Sequence, residues 1–327
     1  MASENTAVGS WALHSNLTGT SNVAIGHGSL ADNQEGSGNT AVGFIALGTN
    51  HAFDNTAVGS WALHYNNDGI NNTAMGSNSM VHNSSGNFNT AVGSGSLHFN
   101  DGSGRNTAIG HDALHNNNKA TESFASGGEN NTAVGCESLK QNVSGNANVA
   151  IGAGALLNSK WAYSNTAVGF EALHLDTVSE NTAIGFECMH ENVSGTGNVA
   201  VGQTALRENV DGSFNTAMGW DAMKNATGWN NVAIGPSALK SLWAGNGNVS
   251  LGAGTLQNCY EGNNNTALGS NVDFLPTGTG NYENSTAIGF EATITASNQV
   301  ILGNAGIQEL YCMGAYNATT TGVTPNL

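Results

Sequence analysis

The sequence predicts an all-β fold, a parallel β-roll solenoid of about 17 coils. A motif, Asn-(Thr/Val)-Ala-(Val/Ile/Met)-Gly-x-x-(Ala/Ser)-Leu, recurs at a short and nearly constant spacing through almost the whole chain. Its first five residues alternate with period two, which is typical of a strand. Gly occurs 45 times and Asn 48 times, whereas charged residues make up only 9% of the chain. A short fixed period with one unit per turn indicates a solenoid.

We number the repeat from its leading Asn as position 1. Two steps between leading residues are longer than the others, from 106 to 131 and from 265 to 285, and a degenerate last turn covers Asn298–Gly303. The seventeenth copy begins with Ser285 in place of Asn. The leading residues stand at 5, 22, 39, 55, 72, 89, 106, 131, 148, 165, 181, 198, 215, 231, 248, 265 and 285.

The second copy shows the role expected of each position. Asn22 is expected to stack on its copies in neighbouring coils as a side-chain amide ladder. Gly26 suits a turn that needs positive φ or close backbone approach. Ile25 and Leu30, at positions 4 and 9, are predicted to fill the coil, with Leu30 on a second short strand. Ala24, at position 3, would leave a strand face that a partner chain can approach closely.

The spacing divides the chain into four segments. The repeat array is predicted over 1–269, with an extended loop at about 116–130 where the longest step falls. An inserted loop follows at 270–284, then the last coils and a neck at 285–314. The remaining 315–327 form a tail.

Each coil is thin, which predicts an obligate oligomer. Two apolar side chains per coil bury little surface compared with the entropy cost of ordering the whole coil. We therefore expect a homotrimer, because three chains around an axis are the simplest closed arrangement for a fibre. At roughly 4.8 Å per coil, the rod would be about 80 Å long.

Composition excludes two classes of partner. The chain has 7 Lys and Arg against 23 Asp and Glu, a net charge of −16, whereas nucleic-acid binding needs clusters of basic residues. No run approaches the roughly 18 apolar residues of a membrane span, so membrane insertion is not expected.

The repeat resembles the head repeats of trimeric autotransporter adhesins. The segment Asn22-Val-Ala-Ile-Gly-His-Gly-Ser-Leu30 and its copies carry the resemblance over residues 5–303. It implies a left-handed β-roll, a tight trimer, an extracellular location and binding to host surfaces. Those heads have shorter repeats than this chain, and the membrane-anchor barrel and coiled-coil stalk of that family are absent from this sequence.

A second resemblance lies near the C-terminus. Asn298-Gln-Val-Ile-Leu-Gly-Asn-Ala-Gly-Ile-Gln-Glu-Leu-Tyr-Cys-Met-Gly314, followed by Thr319-Thr-Thr-Gly-Val-Thr324, looks like the neck of certain phage tail fibres and bacterial surface fibres. In those proteins the neck precedes a self-cleaving intramolecular trimerisation chaperone similar to that of phage endosialidases. The resemblance implies that residues 315–327 precede such a chaperone.

Acidic and basic residues recur at positions 7 and 10, which raises the question of catalysis or metal binding. A pair that the repeat builds five times is more typical of surface ion pairs. We therefore predict no catalytic residue, no cofactor and no metal site, with metal or anion binding on the trimer axis as the alternative. The five pairs are Asp112–His115, Glu137–Lys140, Glu171–His174, Glu187–His190 and Asp221–Lys224.

Aromatic residues in the variable loops are the candidate receptor contacts, because exposed aromatic rings stack on sugars. They are Phe124, Trp161, Tyr163, Trp229 and Trp243. Packing between loops or chains is the alternative interpretation. The four cysteines have no metal-site spacing, so free thiols are expected, with interchain disulfides as the alternative.

These observations predict a structural and adhesive fibre on a virion or bacterial cell surface. It would recognise a host or prey cell by contacting a glycan or protein receptor, without enzymatic activity. Two alternatives are a polysaccharide depolymerase and an ice- or mineral-binding solenoid. Against ice binding, alternation places the Thr of position 2 on the same side as position 4, the side expected to face inward.

Overall fold

The computed structural model describes residues 2–118, 127–275 and 281–309, and it confirms the parallel β-solenoid. Every named element in these ranges is a strand of two or three residues. The strands β1–β20 are, in order, Thr6–Val8, Val23–Ile25, Thr40–Val42, Thr56–Val58, Thr73–Met75, Thr90–Val92, Thr107–Ile109, Thr132–Val134, Val149–Ile151, Thr166–Val168, Thr182–Ile184, Val199–Val201, Thr216–Met218, Val232–Ile234, Val249–Leu251, Thr266–Leu268, Asp273–Phe274, Thr286–Ile288, Thr293–Ile294 and Val300–Leu302.

Eighteen of these strands form one parallel sheet along the rod. Each pairs with the equivalent strand of the next coil, so that Thr6 lies beside Val23 and Ala7 beside Ala24. The same register holds across the longest step, where Thr107 pairs with Thr132. The long step therefore adds a loop without shifting the alignment of the sheet. Below, we number the coils 1 to 17 by their leading residues.

The inside and outside of the strand are opposite to our expectation. Ala24 is fully buried, whereas Ile25 is 40% exposed, and the same buried centre recurs in the three-residue strands from β2 to β18. Position 3 therefore faces the interior of the coil, and position 4 faces outward. The prediction that position 4 fills the coil was wrong, as was the prediction that position 3 forms the outer face. The small side chain of position 3, Ala in most copies and Ser250 in one, therefore shares the interior of the coil with residues such as Leu30.

The leading Asn column forms the expected ladder, with a different bonding pattern. The Oδ1 of Asn22 accepts a hydrogen bond from the backbone N–H of Asn39 at 2.9 Å. Its Nδ2 donates to the carbonyl of Gly36, within its own coil, at 2.8 Å. The side chain thus links two neighbouring coils and closes its own turn, so a buried amide is satisfied at both ends.

A second Asn ladder, which we did not predict from the sequence, lies at position 12. The Nδ2 of Asn83 donates to the Oδ1 of Asn66 at 2.8 Å, and Asn100 repeats this toward Asn83 at 2.7 Å. Position 12 changes to Ser159 and Asp176 in coils 9 and 10, and to Ala226 in coil 13. Buried oxygens without a partner accompany these changes, on Asn142, Ser159 and Asn209.

The second strand predicted around position 9 is replaced by a turn in most coils. Leu30 is buried but has a φ of +49°, and Trp11 at position 7 of coil 1 has +63°. Left-handed residues at positions 7 and 9 curl the chain and prevent an extended segment. Within the described residues, only the last two coils form a second strand pair, β17 with β19.

The glycine of position 5 is required both by its backbone conformation and by close approach. Gly26 has a φ of +127°, and a Cβ built on it would collide with the carbonyl oxygen of Gly43 in the next coil. Both expectations for this position are confirmed. Part of the extended loop at 116–130 lies outside the described residues, as do 276–280 of the inserted loop and 310–327 of the neck and tail.

Candidate functional site

The outer face of the long sheet is a continuous stripe of Thr and aliphatic side chains. Positions 2 and 4 of each strand point outward, and position 4 holds only Val, Ile, Met or Leu. Exposed members include Ile25, Met75, Ile109, Ile184 and Leu251. An apolar surface that runs the length of a molecule is typical of an interaction site.

A groove of about 490 Å³ crosses five coils, 11 to 15, on another part of the coil surface. Its two walls are columns of the repeat, position 11 and position 13, which flank the buried position 12. The position-11 wall is polar, and the position-13 wall carries aromatic and aliphatic side chains. The lining residues are Glu191, Glu208, Asn225 and Ser241 on one wall and Val210, Thr227, Trp243 and Tyr260 on the other.

The groove combines ring faces with hydrogen-bonding groups. Trp243 is 66% exposed and Tyr260 is 47% exposed, so both rings offer a face to a ligand. Glu191 and Glu208 lie 3.4 and 3.7 Å from the guanidinium of Arg207, which holds both carboxylates in place. Sugars present apolar C–H faces and hydroxyl groups together, and this combination of aromatic and polar groups suits them.

The structure separates the predicted receptor contacts. Trp161, Tyr163, Trp229 and Trp243 are all more than half exposed, but only Trp243 lines the groove. Trp161 lies instead beside the ammonium of Lys160, 5.7 Å from its ring centre. Of these four rings, one therefore contributes to the groove.

Two further aromatic residues, Phe124 and Tyr260, bear on the predicted receptor contacts. Phe124, the fifth predicted contact, lies outside the described residues. Tyr260, which is not among the predicted contacts, lines the groove beside Trp243. Its place one repeat beyond Trp243, at position 13, is readable from the sequence.

The charged columns pair mainly between coils. Two of the five predicted pairs form within a coil, Glu137–Lys140 at 2.7 Å and Asp221–Lys224 at 3.9 Å. The carboxylates of the other three pairs reach position 10 of the following coil, where the residue is basic. These contacts are Asp112–Lys140 at 3.1 Å, Glu171–His190 at 3.4 Å and Glu187–Arg207 at 2.7 Å, and Asp221 also reaches Lys240 at 2.8 Å.

Several histidines of position 10 belong to a stack of rings rather than to ion pairs. His98 lies 5.0 Å from His115, ring centre to ring centre, and 5.5 Å from His82. Burial lowers the pKa of His98, and it lowers the pKa of His64 in the same column. Loss of hydration on burial is the largest cause of both pKa shifts.

The cysteines in the described residues are unpaired, as expected. Cys188 and Cys259 are buried inside the coil, and burial raises the pKa of each thiol to about 12. A thiol that stays protonated in the interior is chemically inert. The alternative of an interchain disulfide is therefore open to Cys136, which is exposed, while Cys312 lies outside the described residues.

Comparison with known proteins gives no assignment. No protein-family model matches the chain, and no curated protein is similar to it in sequence. The part of the chain that the structure describes has no helix with the length and hydropathy of a membrane span.

Proposed function

We propose that this protein is the shaft of a trimeric adhesive fibre on a virion or bacterial cell surface. The single observation that carries the proposal is the outward stripe of positions 2 and 4, which exposes an apolar column along 18 paired strands. A solenoid is compatible with a structural role. Burial of this stripe between chains would supply apolar contacts that one thin coil lacks.

We place three such chains around one axis. A single straight stripe per chain can face a common axis, and a closed ring of identical contacts leaves none of the stripes exposed. The resemblance to trimeric adhesin heads supports the same number. The acidic charge of −16 per chain would then lie on the outside, where it favours solubility.

The oligomeric state is the first test. Light scattering of the purified full chain is expected to give three times the 33.3 kDa of one chain. A mass of 33.3 kDa at micromolar concentration would refute the trimer.

We assign the groove around Trp243 and Tyr260 as the contact for a cell-surface glycan. A fibre presents the groove once per chain, so weak single contacts add up through avidity. Binding to a glycan array or to whole cells is expected to be lost with Trp243→Ala. Trp161→Ala, which removes a similarly exposed ring outside the groove, is expected to bind as the parent does. Equal binding by both variants would remove the groove from the proposal.

One observation favours ice binding as a second candidate. Thr at position 2 of most coils faces outward in parallel register, so our objection that it faces the interior was wrong. We rank this function below the fibre because position 4 varies between Val, Ile, Met and Leu, which makes the face irregular in height. Thermal hysteresis of a dilute solution would favour ice binding.

The depolymerase alternative predicts a different result. New reducing ends after incubation with capsular polysaccharide would show cleavage. We expect binding without cleavage, because the recurring carboxylates of position 7 are engaged in ion pairs between coils.

A further inference from the structure

Three potential metal ligands converge where coils 10 and 11 meet. One ligand atom each from Glu171, His174 and His190 lie within 4.8 Å of one another, the one such group of three in the described residues. Glu171 stands at position 7 of coil 10, and the two histidines stand at position 10 of successive coils. The Nε2 of His190 lies 3.4 Å from the Oε2 of Glu171.

The two imidazole rings have defined orientations. They stack with ring centres 5.0 Å apart and an angle of 6° between their planes. The Nδ1 of His174 lies 3.3 Å from the carbonyl oxygen of Gly154. A proton on Nδ1 donated to that carbonyl leaves Nε2 with a free lone pair, the arrangement that carbonyls impose on many metal-binding histidines. The Nδ1 of His190 is buried and unpaired, so its Nε2 is the accessible nitrogen.

The surroundings of this cluster differ from those of the other position-7 carboxylates. At three other places a cation stands across from the position-7 carboxylate: Lys140 beside Asp112, Arg207 beside Glu187 and Lys240 beside Asp221. Across from Glu171 stands an imidazole, which can offer a lone pair, whereas ammonium and guanidinium groups cannot. The contact between position 7 of coil 10 and position 10 of coil 11 can therefore accept an added cation. The equivalent contacts at those three other places already contain one.

Neighbouring charges do not oppose a cation at this place. On one side, position 10 of coil 9 is the uncharged Leu157. On the other side stands Arg207, whose guanidinium is held by Glu187 at 2.7 Å and by Glu191 at 3.4 Å. Its charge is compensated by these partners, so it is not free to take the place of a metal ion beside Glu171.

We propose that Glu171, His174 and His190 bind one Zn²⁺ ion that fastens coil 10 to coil 11. Two imidazoles and one carboxylate form a common zinc ligand set, with the fourth position left to water. Ligand atoms about 2.0–2.2 Å from a tetrahedral ion lie roughly 3.4 Å apart, so the Glu171–His190 contact already fits and His174 turns toward it on binding.

Zinc titration of the full chain by calorimetry tests the site. We expect one Zn²⁺ per chain, with affinity reduced at least tenfold in Glu171→Gln and lost in His174→Ala. Co²⁺ in place of Zn²⁺ is expected to give the intense visible absorption of a four-coordinate ion, which the His174→Ala variant would lack. Circular dichroism of each variant shows whether the fold is retained.

The chain contains its own matched control. His98 and His115 stack with the same 5.0 Å separation and an angle of 4°, but Gly95 stands where coil 10 has Glu171. His98→Ala is therefore expected to leave zinc binding unchanged. The proposal is overturned if the parent chain binds no Zn²⁺, if Glu171→Gln binds as the parent does, or if His98→Ala weakens binding as much as His174→Ala.

Discussion

Asp176 is the most informative single residue, because it puts a carboxyl group into a buried column of amides. Its two oxygens accept hydrogen bonds from the Nδ2 groups of Asn165 and Asn192, at 2.8 and 2.9 Å. Burial raises the pKa of Asp176 to about 8. The preceding member of the column, Ser159, has a hydroxyl without a hydrogen-bond partner. Asp176 thus introduces a titratable carboxyl group into a column of neutral side chains.

This residue predicts a pH dependence of stability. An unfolded Asp ionises near pH 3.9, whereas the folded one ionises at about 8, so the fold loses up to about 1.4 kcal/mol per pH unit as pH rises between these values. Asp176→Asn restores the amide, which is expected to donate to Ser159. The variant should gain stability over the parent, by an amount that grows from pH 5 to pH 8, in urea unfolding followed by circular dichroism.

Asp211→Asn is the matched control, since Asp211 is exposed. Its stability should follow that of the parent at every pH. If Asp176→Asn also gave a constant difference from the parent across pH 5 to 8, the buried carboxyl would not titrate as stated.

The half-buried imidazole of His98 predicts the opposite trend at acid pH. Its pKa lies below the ordinary 6.5 because burial disfavours the charged ring, and the neighbouring His115 and His82 lower it further. The backbone carbonyl of Asn78 and the carboxylate of Asp112 act in the other direction. The neutral ring is therefore fully stabilising above pH 6.5, and stability is lost as pH falls toward the folded pKa.

His98→Gln removes the titration and keeps a donor for the carbonyl of Asn78. The parent should lose more thermal stability than this variant between pH 7 and pH 5. His51→Gln, at an exposed position, should lose as much as the parent. Parallel losses in all three proteins would contradict the role of His98.

At the scale of one coil, the turn after the strand is set by backbone conformation. Position 5, directly after the strand, combines a strongly positive φ with close backbone approach to the next coil, and every copy is Gly. Position 7 has a left-handed φ as well and tolerates Trp, Glu, Asp and Asn, because that region admits a side chain at modest cost. The repeat therefore needs Gly once per coil, at position 5.

Gly169→Ala and Gly28→Ala separate these two kinds of glycine. A Cβ on Gly169 would collide with the carbonyl oxygen of Gly185, at a φ of +143°. A Cβ on Gly28, at position 7, would lie 3.3 Å from the nearest atom, a side-chain carbon of Ile45. The backbone at Gly169 cannot move without breaking the hydrogen bonds between stacked strands. We therefore expect the free energy of unfolding to fall by more than about 2 kcal/mol in Gly169→Ala and by less than about 1 kcal/mol in Gly28→Ala. Urea unfolding measures both, and equal losses would contradict the distinction.

At the scale of the whole molecule, the exposed stripe of positions 2 and 4 is the surface that needs a partner. Ile184→Glu places a charge in the stripe, which would be buried without a counter-charge in a trimer. The variant is expected to elute as a monomer, or to shift its association to at least tenfold higher concentration, in light scattering and sedimentation experiments.

Val193→Glu controls for the added charge. Val193 is 41% exposed and Ile184 is 40% exposed, but Val193 belongs to position 13, away from the stripe. It should remain a trimer. Dissociation of both variants, or of neither, would show that the stripe is not the interface.

The sequence by itself determined the parallel solenoid, the length of each coil, the strand at positions 2 to 4 and the glycine turn. These features are local or periodic, so one coil repeated along the chain reveals them. The amide ladder of position 1 and the burial of position 9 followed from the same periodicity.

Only the tertiary structure decided which side of the strand faces inward. Period two is symmetric with respect to inside and outside, and the more apolar side, with Val and Ile, proved to be the exposed one. The pairing of Glu171 with His190, and of Glu187 with Arg207, also depended on the stacking of coils. The offset between stacked coils brings position 7 within ion-pair distance of position 10 of the next coil. This offset sets the contacts along the rod, and the sequence of a single coil does not reveal it.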